Sequence, residues 1–395
     1  MNGPLEGLRV VELARTLAGP YCGMMLADMG AEVIKVEQPG VGDETRGYSP
    51  PEMKGESTYY LSLNRNKKGI TVNLKTKEGQ RIVKDLVKNS DILIENFRTG
   101  AMERFGLEYE KLKEINPRLV YCAVTAFGRT GPMKNEPGYD LLLQGFGGIM
   151  SVTGEPDGLP MRVGFSIVDL TTAIYASNAI LLALLVREKT GRGQYVETSL
   201  MESIVSIQCY HAQAVFATGK SPGRFGTGHP NIVPYQVFET KDNFIIIAVP
   251  NDWLWKKMCS ALGMDDLMDD PRFATNASRV AHRDLLISLM TKVTKAQSAS
   301  EILRKLHQAG VPSGPVNDVS QALAHPQVAD REMIQEVEHP TIGALKVLGV
   351  PMKLSENPGR IRMAPPLLGQ HTDEVLNNLG YSDREIEQLR EKGDI

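Results

Sequence analysis

The stretch GLRVVELARTLAGPYCGMMLADMGAEVIKVEQPG, residues 7–40, decides the fold. Its first part, GLRVVELA (7–14), is a short apolar, β-rich run that ends in a glycine-containing turn. GPYCGMMLADMG (19–30) has helical spacing and stops at Gly30. AEVIKVEQPG (31–40) is a second strand, closed by Pro39-Gly40. Strand, helix and strand in so few residues form a βαβ unit, and such a crossover joins parallel strands.

The alternation continues outward. GITVNL (69–74), DILIENF (91–97) and RLVYCAVTAFG (118–128) read as strands, with a helix from about Thr76 to Val87. We therefore expect an α/β fold with a Rossmann-like, doubly wound parallel sheet over residues 1–200. Residues 217–236, ATGKSPGRFGTGHPNIVPYQ, are rich in glycine and proline. They suggest a connector, placed at 201–225, before a smaller α/β domain at 226–325. That domain should hold the strand NFIIIAVP (243–250) and helices near 278–294 and 299–309. Residues 326–395 are expected to be a second connector and C-terminal helices that return to the first domain.

The 395 residues are 42% hydrophobic, enough for a sizeable core. With 44 basic and 47 acidic residues the formal charge is −3, which gives no bulk attraction to nucleic acid or to an anionic membrane. Neither is expected as a partner. Cys22, Cys122, Cys209 and Cys259 are far apart, with no CxxC, which fits a reduced cytoplasm. No apolar run reaches membrane-span length without charge, and a strand so near the start leaves no room for a signal peptide.

Familiar motifs are absent. There is no GxSxG, no HExxH and no GxGxxG, and GKS (219–221) has Ala214 where a P-loop needs glycine. No metal site and no resident cofactor are expected. One acid stands out in VGFSIVDLTTAIYASNAILLALL (163–185), where Asp169 begins a long apolar helix. Ser166 and Asp169 have capping-box spacing, so the acid is expected to help start the helix. A carboxylate at a helix N-terminus is also a competent nucleophile towards an activated acyl group.

The chain resembles the class III (CaiB/BaiF-type) coenzyme A transferases, which include formyl-CoA and carnitine CoA transferases. The resemblance rests on LAGP (17–20), GAEVIKVEQPGVGDETR (30–46), NRNKKGITVNLKTKEG (64–79), DILIENFRTGAMERFGL (91–107), GYDLLLQGFGG (138–148), VDLTTA (168–173) and KTGRGQYVETSLMES (189–203). It extends to PPLLGQHTDEVL and so covers nearly the whole chain. It implies that Asp169 is a covalent nucleophile, passing through mixed anhydrides and an aspartyl-CoA thioester. Coenzyme A would be a substrate rather than a bound cofactor. The family's chains form dimers of interlocked open rings.

The resemblance also carries CoA contacts onto Val72, Lys75, Asn96, Phe97, Arg98, Arg104 and the position of Gln38. Lone lysines and arginines are ordinarily surface residues, so only the resemblance singles these out. Leu17 and Tyr139 fall at substrate positions, and Gly226, Gly228 and His229 match a glycine-rich loop over the intermediate. The formyl-CoA branch has a basic residue at the position of Gln38, glutamine at that of Leu17 and a basic residue at that of Pro137. ESTYYLSLNRNKKGI, RFGTGHPNIVPYQ and PPLLGQHT look closest to the branch that moves CoA between succinate and other dicarboxylates. A second substrate carboxylate needs a cation, and Arg15 and Arg46 are the candidates.

Two other functions fit parts of the pattern. An α-methylacyl-CoA racemase needs paired acid/base groups, but Tyr139 stands where the racemases have histidine. An acyl-CoA-binding protein would keep Lys75 and Arg104 without needing Asp169.

Overall fold

The structure is a computed structural model and describes residues 3–395. We number only the six strands of the main sheet and four helices around it. β1 (Arg9–Glu12), α1 (Ala18–Asp28) and β2 (Glu32–Glu37) form the expected βαβ unit, with Val10 opposite Val33. β3 (Lys67–Thr71), α2 (Lys77–Lys88), β4 (Ile92–Glu95), β5 (Val120–Thr125), α3 (Asp140–Phe146), α4 (Ile167–Thr190) and β6 (Tyr195–Ser199) follow. All strand pairings are parallel, and the order is β3-β2-β1-β4-β5-β6. This is the doubly wound order. Its direction reverses between β1 and β4, which opens a crevice at their C-terminal ends.

Successive residues of the central strands enter opposite layers, as a two-residue side-chain period requires. Val11, Leu13, Ile34 and Leu93 pack with Ile82 and Leu86 of α2. Val10, Ala14, Val33, Ile92 and Ile94 pack with Cys22 and Leu26 of α1 and with Ala173, Ala176 and Ile180 of α4. Both faces are covered, so the strands read as apolar runs without polar alternation. The helices Thr372–Asn378 and Asp383–Glu391 add Val375, Leu376, Ile386 and Leu389 to the first layer. Full burial of one such leucine or isoleucine contributes about 1.5–3 kcal/mol.

The two glycines of the first turn permit close approach. A Cβ on Gly19 would lie 2.2 Å from Ala14 Cβ, and one on Gly23 would lie 1.9 Å from Glu12 Oε2. Neither glycine belongs to a dinucleotide fingerprint; they bring α1 down onto β1.

α4 ends at Gly191, whose φ of +73° suits glycine, with Arg187 and Lys189 in its last turn. By length and composition alone, α4 is apolar enough to cross a membrane. Ala173, Ala176, Ile180 and Ala183 nonetheless form an inner face within the sheet's core, while Leu182 and Leu185 are 63% exposed.

The chain divides into two compact units, and the division differs from the expected boundaries. The large unit comprises the chain up to Gly147, Gly164–Gln208 and Pro326–Ile395; the second comprises Gly148–Val163 and Cys209–His325. Much of the connector expected at 201–225 is helical, as Leu200–Ser206 and Cys209–Thr218. The stretch expected as a connector after 325 contains an antiparallel hairpin, Ile334–His339 with Gly343–Leu348. β6 escaped the sequence reading because it is a half-exposed edge strand of mixed polarity.

The second unit has a three-stranded antiparallel sheet: Ser313–Pro315, Phe244–Ala248 and Tyr235–Glu239. Its core gathers Phe238, Ile245, Ile247, Trp255, Phe273, Leu286 and Ile302. The helix expected near 278–294 is two helices, Asn276–Ala281 and Arg283–Lys295, broken at His282.

Candidate active site

The crevice at the switch point is built by the segments that leave β1 and β4. After β1, Asn96 grips Arg15 twice: Arg15 N donates to Asn96 Oδ1 at 2.9 Å, and Asn96 Nδ2 donates to Arg15 O at 2.7 Å. After β4, Phe97 N donates to Glu95 Oε2 at 2.8 Å, and Arg129 donates to Glu95 Oε1. Burial pushes the Glu95 carboxyl up to about 7, against the pull of Arg129. Asn96, Phe97 and Arg98 are thus presented by a loop whose backbone is fixed from beneath.

Two neighbouring pockets share Arg15, Phe97 and Arg98. One, with about 1150 Å³ of space, is lined by Gln38, Val72, Lys75 and Arg104. Val72 is buried at its floor, whereas Gln38, Lys75, Arg98 and Arg104 are exposed. Among the described residues Lys75, Arg98 and Arg104 have no ion-pair partner. Unpaired cations around a cleft suit a ligand that carries phosphates. The structure therefore gathers Gln38, Val72, Lys75, Phe97, Arg98 and Arg104 of the residues that the resemblance assigns to CoA, whereas Asn96 lines only the neighbouring pocket.

The other pocket, with about 950 Å³ of space, is lined by Leu17, Asn96, Tyr139 and Asp169. Lys134 and Glu44 also line it and were not anticipated from the sequence. Arg15 pairs with Glu44 at 3.1 Å, and its guanidinium lies over the Phe97 ring.

Asp169 stands in the first turn of α4, as expected, but the helix is capped differently. Ser166 occupies the N-cap position and its side chain makes no cap hydrogen bond. It bonds instead with Tyr59. Asp140, from the first turn of α3, takes over: its Oδ1 accepts from Val168 N at 2.9 Å and Asp169 N at 3.3 Å. Gln144 Nε2 donates to Asp140 Oδ2 at 2.6 Å. A carboxylate on helix-start amides is well satisfied. The consequence for Asp169 is the opposite: burial, and then the Asp140 charge, push its carboxyl up to about 7. No cation pairs with it among the described residues.

Arg46 lines neither pocket, so the structure does not bring it together with Arg15 beside Asp169. Its Nε and Nη2 donate to Glu37 at 2.8 Å each, and Nη2 also reaches Tyr60 Oη at 2.7 Å and Pro366 O at 3.1 Å. A bidentate, largely buried pair of this kind is committed to the fold. Gly226, Gly228 and His229 lie in the second unit. Gly226 has φ +59° and donates its N–H to Gly154 O. His229 Nδ1 accepts from Asn231 N, and burial holds its imidazole below the ordinary range.

The fold and crevice define an α/β protein with a cation-lined cleft at its sheet switch point, suited to an anionic ligand. Residues 5–372 match CoA-transferase family III, and the chain belongs to that family. It is 40% identical over 391 residues to human succinyl-CoA:glutarate CoA-transferase, covering 99% of this chain and 89% of the other. It is 40% identical over 355 residues to the acetyl-CoA:oxalate CoA-transferase of Acetobacter aceti, covering 90% of each. Among solved structures, a CAIB/BAIF family protein from Brucella suis superposes with a TM-score of 0.86 at 41% identity, covering 96% of this chain and 100% of that one.

Proposed function

We propose that this CoA-transferase moves coenzyme A from succinyl-CoA to a second dicarboxylate through covalent intermediates on Asp169. The observation that carries the reading is the unpaired, proton-prone Asp169 beside the cation-lined pocket. Lys75, Arg98 and Arg104 hold the CoA phosphates, with Gln38, Val72 and Phe97 along the nucleotide and Asn96 on the reaction side. A carboxylate that is poorly stabilised as an anion is the more reactive nucleophile.

In the first step an Asp169 oxygen attacks the thioester carbonyl, the C–S bond breaks and CoA leaves as thiolate. The product is a mixed anhydride of Asp169 and the donor acid. The thiolate then attacks the aspartyl carbonyl, releasing the donor carboxylate and leaving an aspartyl-CoA thioester. The acceptor carboxylate then reverses the second step: its oxygen attacks the aspartyl thioester carbonyl, the C–S bond breaks, and the freed thiolate leaves an anhydride between the acceptor and Asp169. Attack of that thiolate on the acceptor's acyl carbon yields the new acyl-CoA and restores Asp169. The acceptor supplies its own oxygen, so the sequence needs no added general base.

The acceptor class is better supported than the donor. The two curated relatives differ in donor, but both names carry a dicarboxylate, glutarate or oxalate. Arg15 is the cation for the acceptor's second carboxylate, with Glu44 as its partner within the chain. Both side chains are well exposed, and such a pair is worth only about 0–1 kcal/mol, so a substrate carboxylate can displace Glu44. A panel of succinyl-, acetyl- and formyl-CoA donors against mono- and dicarboxylate acceptors tests this. Fast transfer from succinyl-CoA to a dicarboxylate, weakened chiefly for dicarboxylates in Arg15→Met, supports it. Equal rates with acetate and succinate overturn it, and an oxalate preference moves the enzyme to the formyl/oxalate class.

The working form is a homodimer, interlocked in the manner the family resemblance implies. Ile174, Leu182, Leu185 and Val186 of α4 and Leu141, Leu142 and Phe146 of α3 are exposed apolar side chains. An apolar face of this extent calls for a protein partner, and the inner face of α4 is already committed to the core. A monomer in sedimentation at micromolar concentration would count against it.

A further inference from the structure

The turn from β1 into α1 is held by side chains from other segments. Lys35 Nζ donates to Ala14 O at 3.0 Å, Asn96 takes both backbone groups of Arg15, and Thr16 N donates to Asp43 Oδ1 at 3.2 Å. Thr16 has φ +69°, the left-handed region that a β-branched residue rarely enters. Such backbone persists only where its surroundings over-determine it.

Asp43 is the centre of that constraint. Its Oδ1 also accepts from Thr45 N at 3.0 Å and Thr45 Oγ1 at 2.9 Å, while Oδ2 accepts from Lys35 Nζ at 2.8 Å. Lys35 reaches Glu12 Oε1 at 3.1 Å, and Lys35, Glu12 and Asp43 are all buried. Burial alone would push the Asp43 carboxyl up and the Lys35 ammonium down; Lys35 and the Thr45 hydrogen bonds reverse the first, and Glu12 with Asp43 reverses the second. The strained residue lies between Arg15 and Leu17, and all three line the cleft that contains Asp169.

We propose that Asp43, locked by Lys35, is a positioning residue for CoA transfer: it holds Thr16 in left-handed backbone and so sets where Arg15 and Leu17 stand on the reaction cleft. The acid touches neither acyl group. It acts through the turn. The proposal rests on the reading that transfer occurs beside Asp169.

A double-mutant cycle tests it, using Asp43→Ala, Thr16→Gly and the pair, with the donor and acceptor the native enzyme turns over fastest. Loss of the clamp is expected to lower kcat by roughly 10–100-fold, as misplacement of about 1 Å does elsewhere, with much less change in KM for the acyl-CoA. Glycine adopts positive φ without side-chain strain. In the Thr16→Gly background, removing Asp43 is therefore expected to cost about tenfold less than in the native background, a coupling that a general loss of stability would not produce. If Asp43→Ala does not fold, Asp43→Asn replaces it, with the same requirement of a lowered kcat that Thr16→Gly recovers. A native kcat in the Asp43 variant, or a loss that Thr16→Gly leaves untouched, overturns the proposal. Asp169→Ala separates the two ideas: transfer that survives it sinks the Asp169 reading, whereas an additive cycle beside a dead Asp169→Ala sinks only the clamp.

Discussion

The two pockets at the switch point solve opposite electrostatic problems. The one bounded by Lys75 and Arg104 offers exposed cations without ion-pair partners among the described residues, so its charge is available to any phosphate that enters. The one bounded by Asp169 offers an acid that its surroundings keep from ionising easily, and an arginine already satisfied by Glu44. Arg15, Phe97 and Arg98 border both. On the proposed reading the contrast is a division of labour: binding energy gathered on the remote part of a substrate would be spent where the bond changes. It also explains why an unstabilised carboxylate is tolerated. Asp169 sits where ionisation is costly, and Asp140, only one of whose oxygens serves the α4 amides, adds to that cost.

The comparison breaks most sharply at Asp169. Asp169→Asn should lower kcat by about a thousandfold or more, the scale of removing a covalent nucleophile, while CoA binding by calorimetry persists. The same variant should gain thermal stability at alkaline pH. The sign follows from the direction of the shift: with a folded value near 7 against an ordinary 3.8, the folded state holds the proton more tightly than the unfolded one. The penalty is absent below the unfolded value, grows as pH rises through the interval and is complete above the folded value. A melting-temperature gain that is as large at acid pH as at alkaline pH would contradict it.

Arg46 lies outside both pockets and serves as the control for them. Arg46→Met strands Glu37, which is buried, and should cost about 3 kcal/mol of stability by denaturant titration. Its preference between mono- and dicarboxylate acceptors should not move. A change in that preference would return Arg46 to the site.

On the binding side, Lys75→Ala and Arg104→Ala should each raise KM for the acyl-CoA by about tenfold, the equivalent of one charge-assisted contact, with kcat largely kept. A fall in kcat with KM unchanged would place these cations at the reaction rather than at the phosphates. The smallest expected effect is at Asp140. Asp140→Asn keeps an oxygen for the α4 amides but removes the like charge, so the Asp169 value falls. The acid limb of kcat/KM, expected near 7 in the native enzyme if Asp169 is the nucleophile, should move to lower pH, by up to about tenfold in rate at the acid end for each unit. An unmoved limb would leave burial as the whole cause.

Much of this was legible in the chain. Residues 7–40 determined a parallel βαβ unit, because apolar runs of strand length around a helical segment admit no hairpin. Asp169 was legible as an acid at the start of an apolar helix, whereas only the family resemblance singled out Lys75 and Arg98. Tertiary structure decided the rest. Sequence spacing made Ser166 the cap of α4, yet Asp140, from a separate helix, lies on the amides. Arg15 and Arg46 looked equivalent, each an arginine beside a glycine-containing turn, until Glu37 and Tyr60 claimed one and the cleft the other. Nothing local marks Thr16 as left-handed, since threonine disfavours that backbone. Its turn is held against Lys35 of β2, Asp43 of the segment after β2 and Asn96 just past β4. Periodicity and end signals act over a few residues and so can be read along the chain; a partner's charge or a backbone clamp acts through space, and only the folded sheet brings it within reach.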